Sequence, residues 1–165
     1  MNLESATLVL RTSGLNTAQG DINIGNRNND VTFSNINIQQ VLGSMLTKYK
    51  KFKLCLTSVG GGTPPTTLTD TNRLLCVNIE GLNWENSSYN IATGNLSSSV
   101  IAATIAVGTT QGFSTNFTGE TGFVFTRPVA NNVSIRIFLT RIQDNTIQAI
   151  QYPNTVYCFS IYGIE

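Results

Sequence analysis

Residues 36–59, INIQQVLGSMLTKYKKFKLCLTSV, place one short helix between two strands in a chain that otherwise reads as strand after strand. Ile38, Val41, Leu42, Met45, Leu46 and Tyr49 recur at helical spacing and make one apolar face. Asn37 is placed to cap the N-terminus, with Gln40 three residues on reaching back. Lys48, Lys50 and Lys51 close the segment, where cations suit the negative end of the helix dipole. A single helix cannot cover a sheet made of everything else. The apolar faces of the strands must therefore bury against each other, which makes this an all-β chain.

Eight principal strands follow from runs of alternating or β-branched residues: 6–12, 31–36, 52–59, 73–82, 100–107, 122–127, 133–142 and 156–164. In the first, Leu8 and Leu10 share a face. The fifth is apolar on both faces and reads as a central strand. The seventh is the clearest, with Val133, Ile135, Ile137 and Leu139 pointing one way and Ser134, Arg136 and Thr140 the other. Ile135 and Ile137 are expected in the core and Arg136 at the surface, where its truncation would cost far less. Phe138 interrupts the polar row. Shorter runs at 89–91, 113–117 and 146–150 are candidate extra strands. Loops of very unequal length favour a two-sheet sandwich over an up-and-down barrel. On fold analogy rather than on spacing, the first, third, sixth and eighth strands of that sandwich would form one sheet. The second, fourth, fifth and seventh would form the other.

The 165 residues suit one domain, 1–165. Charged residues are only 12 %, and polarity comes instead from 19 Asn, 22 Thr and 13 Ser. Such a surface suits subunits that pack closely without charge repulsion. A net charge of +1 gives no drive toward nucleic acid. Cys55, Cys76 and Cys158 each lie in an apolar run and read as buried, reduced thiols of a reducing compartment. No run of about 18 apolar residues marks a membrane span. The N-terminus lacks the basic and apolar regions of a signal peptide. Without one, the sequons at Asn86, Asn95, Asn116 and Asn132 read as products of composition.

There is no histidine, which removes the Ser-His-Asp and Cys-His arrangements and the commonest transition-metal ligand. Glu80 and Glu85 flank Trp84 in EGLNWEN, but a carboxylate pair for glycoside cleavage is a weaker reading than two solvated loop acids. Gly60, Gly61 and Gly62 are not followed by the Gly-Lys-Ser/Thr of a phosphate loop and read as an interstrand loop. Asp21, Asn23, Asn26, Asn28 and Asp30 offer oxygens to calcium. However, Asn26 and Thr32 stand where a helix-flanked calcium loop needs Gly and Glu, so an Asx-turn loop is the better reading. Trp84 with Tyr89 offers a sugar platform or, more simply, packs beneath a loop. No catalytic, cofactor or metal residue is assigned. The one dense charge cluster is Lys48, Lys50, Lys51 and Lys53. Its plain reading is a solvated helix end, and its functional reading is a contact for a phosphate or an acidic partner.

The order IQQVLGSMLTKYKKFKLCLTSV, then LLCVNIEGLNWENSSYNI, then VSIRIFLTRI and a closing YCFSIYG resembles small single-jelly-roll capsid proteins of large double-stranded DNA viruses. The shared marks are a Lys-Tyr-x-x-Phe step at Lys48, Tyr49 and Phe52, and a turn at Gly81, Leu82, Trp84, Asn86 and Tyr89. The likeness covers residues 8–163 and rests on packing and turn residues. It implies an eight-stranded jelly-roll sandwich with one short helix after the second strand. It also implies a structural role, with the chain as a penton at five-fold vertices or a minor capsid component, no cofactor and no active site. The chain would form a homopentamer, meet other capsid proteins, reside in the virion and assemble in the host cytoplasm. Only about five residues precede the first strand, so there is no basic arm. No direct contact with nucleic acid is expected, nor is embedding in a membrane. Lys48, Lys50 and Lys51 then become a candidate contact between capsomers. The competing reading is a jelly-roll binding head, lectin-like or receptor-binding, for which a preceding stalk would be usual.

Overall fold

The computed structural model describes residues 4–12, 29–64, 67, 73–83, 88–90, 95–97, 100–117, 122–150, 152 and 154–164, with backbone alone at 88–90 and 95–97. The strands are β1 (Ser5–Arg11), β2 (Asp30–Asn37), β3 (Lys51–Gly61), β4 (Leu74–Glu80), β5 (Ser88–Asn90), β6 (Asn95–Ser97), β7 (Val100–Ala106), β8 (Phe113–Asn116), β9 (Phe123–Thr126), β10 (Asn132–Arg141) and β11 (Val156–Ile164). Two short helices, α1 (Ile38–Leu42) and α2 (Met45–Lys48), stand between β2 and β3. One sheet runs β1-β11-β3-β8, with β9 also on β3; the other runs β2-β10-β4-β7; β5 and β6 form a separate pair. Every pairing is antiparallel.

The two sheets hold the strands that fold analogy assigned to each, but the count is nine rather than eight. The edge position beside β3 is filled twice. β8 pairs Ser58 to Gly61 and β9 pairs Lys51 to Leu54. A second correction concerns β7, which is an edge strand of its sheet rather than a central one. Its apolar residues are mostly small, and Ile101, Thr104 and Ala106 face outward and exposed. An apolar composition therefore did not mean neighbours on both sides. Gly60 and Gly61 are not loop either but extend β3. The run 146–150 contributes a single bridge, Thr140 to Ile147.

One helix was expected and two are found. Asn37 caps α1 as expected, its side chain accepting from Gln40 N at 3.1 Å. Gly43 then turns to φ 52°, a conformation open to glycine, and stops α1 after Leu42. The apolar face survives the break. Ile38, Leu42 and Met45 are buried, with Val41, Leu46 and Tyr49 packed on the same core.

Alternation builds the interior. Leu8 and Leu10 of β1, Phe52, Leu54 and Leu56 of β3, and Phe159 and Ile161 of β11 meet Phe33, Leu75, Val77, Ile135, Ile137 and Leu139 of the other sheet in one continuous cluster. Burying each such side chain contributes roughly 1.5–3 kcal/mol. At the helix end of the sandwich Phe52 stacks on Phe125 at 5.6 Å, and Tyr49 meets Phe52 edge-on at 6.5 Å. Tyr49 also lies over Gly163, where a Cβ would come within 2.3 Å of its ring.

The opposite end is closed by polar groups. Asn29 is fully buried. Its side-chain amide nitrogen donates to the carbonyl oxygens of Gln148 and, at 2.7 Å, Ile150, while its backbone carbonyl accepts from Leu139 N at 2.8 Å. Thr12 and Thr155 bond each other twice, at 2.9 Å each. Tyr152 packs edge-on against Phe113 at 5.2 Å. Burial pushes its hydroxyl up to about 12, with a Gln148 side-chain bond pulling the other way. Burial raises the Tyr157 hydroxyl as well.

Candidate functional site

The lysine cluster begins where α2 ends. Lys48 is the last residue of that helix, Tyr49 is extended, and Lys51 opens β3. The alternation of β3 puts Lys51 and Lys53 on its outward side, opposite Phe52 and Leu54, which face the core. Lys51 sits between Thr126 and Ile164, and Lys53 between Val124 and Tyr162. Lys50 is exposed, and its carbonyl accepts from Arg127 N at 2.8 Å. The structure thus gathers Lys48, Lys50, Lys51 and Lys53 at one corner of the helix end.

Two residues that the sequence did not single out join them. Arg127, just past β9, donates from Nη1 to the Leu46 carbonyl at 2.8 Å and caps the open C-terminal turn of the helix. Glu4, just before β1, takes Lys48 Nζ at 2.5 Å. That hydrogen bond, and then the attraction of the Glu4 charge, hold the Lys48 ammonium above its ordinary pKa. Neither partner lies near residues 48–53 in sequence, and no spacing pattern would have found them. The corner presents cations and accepts a carboxylate.

A second constellation lies on the outward face of the β2-β10-β4-β7 sheet. Arg136 was expected to face solvent, yet it joins three strands. Its Nε and Nη2 donate to Asp30 Oδ1 and Oδ2 of β2 at 2.7 and 2.8 Å, and its Nη1 donates to Glu80 Oε2 of β4 at 3.0 Å. Its guanidinium carbon lies 4.5 Å over the Phe138 ring, which accounts for the apolar interruption of the polar row. The bond to Asp30 leads in raising the Arg136 pKa well above its ordinary value. Beside it Asn78 donates to Thr140 Oγ1 at 2.9 Å; Thr140 points to the outward side as expected, yet both residues are buried there. Asp30 and Glu80 are thus both ion-paired with Arg136. The bidentate geometry is that of a fixed clasp.

Asp21, Asn23, Asn26, Asn28, Trp84, Glu85 and Asn86 lie outside the described residues, as does the side chain of Tyr89. Of the proposed turn, Gly81 is seen at φ 107°, with Ser134 O only 2.1 Å from where a Cβ would stand. Among the described residues no group of three or more His, Cys, Asp or Glu is gathered to hold a metal, and no helix is long and apolar enough to cross a membrane. No disulfide links the cysteines. Cys55 is buried as expected, but Cys76 and Cys158 are only half-buried, because each points to the outward side of its sheet. Burial raises the Cys76 thiol, opposed by a hydrogen bond with Thr140. Compared with protein-family models, curated proteins and solved structures, the chain matches none.

Proposed function

We infer that this chain is a structural protein of a viral shell, a jelly-roll subunit that assembles with copies of itself into a five-fold ring and occupies the vertex as a penton. The observation that carries this reading is the strand order. With β8 and β9 counted as one position, β1-β11-β3-β8/β9 and β2-β10-β4-β7 supply eight antiparallel positions in two sheets, the count and layering of a jelly roll. The sequence supports a structural role over a catalytic one, since it has no histidine and its carboxylates Asp30 and Glu80 are engaged with Arg136. Low charge content, at 12 %, suits the heterologous contacts of a closed ring, where identical subunits must meet without repulsion. The subunit resides in the virion after assembly in the host cytoplasm, needs no cofactor and makes no direct contact with nucleic acid. Lys48, Lys50 and Lys51 face a neighbouring capsomer.

Electron microscopy and sedimentation of the purified chain test the reading. Five-fold rings are expected. Three-fold knobs would favour the binding-head alternative, and monomers at high concentration would overturn both. Replacing Lys48, Lys50 and Lys51 with Glu should leave the isolated ring intact and reduce incorporation into shells.

A further inference from the structure

The two sheets end in four edges, and three of them are guarded. An open edge offers a row of unpaired backbone N–H and C=O groups to any strand that approaches, so proteins that stay apart blunt their edges with bulges, short strands, proline or lysine. β2 is bulged, because its register with β10 slips between Val133 and Ile135, where Asn35 turns to φ 57°. β7 is bulged against β4, where the register slips between Val77 and Asn78. The edge beside β3 is divided between β8 and β9, of four residues each. β1 has none of these devices. Its seven residues, Ser5–Arg11, run in unbroken register along Tyr162 to Val156 of β11, and among the described residues it pairs with no other strand. It holds no proline, no lysine and one charge, Arg11, at its end. Ser5, Thr7, Val9 and Arg11 are exposed, and Leu8 and Leu10 face the core.

The side chains of β1 select the strand that fits beside it. No charge stands between Ser5 and Leu10, so nothing there calls for a partner of one sign. Opposed residues of an antiparallel pair share a face, and a slip of one residue would set core-side leucines against outward residues. Two copies of β1, antiparallel and centred on Leu8, pair all seven residues with their faces matched. On the core side Leu8 meets the partner's Leu8 and Ala6 meets the partner's Leu10. On the outward side Thr7 meets the partner's Val9 and Ser5 meets the partner's Arg11, so no like charges are opposed. Parallel pairing in register would set Arg11 beside the partner's Arg11. The copy's other edges carry the interruptions described above. We propose that β1 is a self-docking edge, to which a second copy of this chain adds its own β1 across a two-fold axis at Leu8, joining the two sheets into one. This contact is isologous, so it is not the contact that closes a five-fold ring. It goes beyond the ring reading and does not depend on it.

The test is sedimentation equilibrium of the full chain over a wide concentration range, with T7K/V9K, T7E/V9E and their equal mixture. Both positions are exposed on the outward side, and circular dichroism checks that each variant folds. Residue 7 lies opposite the partner's residue 9, so each variant alone opposes like charges twice. Its pairwise association should weaken by about tenfold, whereas the mixture should associate at least as well as the wild type. I101K/T104K, on the exposed outward side of β7, should change association by less than about twofold. Absence of pairwise association in the wild type, its persistence in T7K/V9K and T7E/V9E, failure of the mixture to restore it, or equal loss in I101K/T104K would each overturn the proposal. If pairs form and no ring sediments, the ring reading fails and this one stands. If rings form and never double, this one fails alone.

Discussion

The two ends of the sandwich are closed by different physics. At the helix end Ile38, Leu42, Met45, Phe52 and Phe125 remove apolar area from water, a force without direction that tolerates a helix broken at Gly43. At the other end Asn29, Thr12 and Thr155 satisfy specific backbone groups, so geometry matters and each missing partner leaves a buried group unsatisfied. The first closure degrades gradually when altered, and the second fails bond by bond.

The largest effect should come from the apolar end. Phe52→Ala, at a fully buried ring, should lower stability by about 3–5 kcal/mol in urea unfolding. A loss near 1 kcal/mol would mean that the helix end is held by something other than packing. Next comes Asn29→Ala, which leaves the carbonyls of Gln148 and Ile150 without their donor. It should cost about 2–3 kcal/mol and speed hydrogen exchange at Leu139 and its neighbours before the core opens. If Asn29→Ala exceeds Phe52→Ala, the ranking of the two ends is reversed.

A pH series sharpens the contrast. The Tyr152 hydroxyl rises from 10 in the unfolded chain to about 12 when folded. The folded state therefore holds the proton longer than the unfolded state does. The stability tied to this group is complete below pH 10 and is lost as pH climbs toward 12, by roughly 1–3 kcal/mol in all. Tyr152→Phe should flatten that alkaline limb while leaving the urea midpoint at pH 7 nearly unchanged. An identical limb in the variant would assign it elsewhere, Tyr157 first. The smallest effect belongs to Lys48→Ala, at the surface Lys48–Glu4 pair, whose loss should not move the urea midpoint measurably. A clear shift would show that the pair braces β1 against α2.

The same contrast governs what the sequence discloses. The apolar end is legible because burial leaves a period, as at Ile38, Leu42 and Met45 on the helical face and Ile135, Ile137 and Leu139 along β10. Sheet membership does not follow from those periods; it came from fold analogy, and the observed sheets agree with it. The polar end leaves no period. Asn29 is one amide in an Asn-rich stretch, and its partners Gln148 and Ile150 lie more than a hundred residues away. Arg136 shows the same limit, since alternation put it outward correctly but could not tell that Asp30 and Glu80 would meet it there. β7 shows another, because apolar residues report which faces are covered and not which edges are paired. In the lysine corner residues 48–53 were visible as a run, whereas Glu4 and Arg127 arrive only through the fold.

The doubled edge beside β3 bears on how such a chain tolerates change. β8 takes its register from Ser58 to Gly61, and β9 independently from Lys51 to Leu54. Between Asn116 and Phe123 the edge has six residues where β3 has three, so the two strands already accommodate an excess of chain. Because each strand takes its own register from β3, a slip of one need not carry the other with it, and the edge can fail in halves.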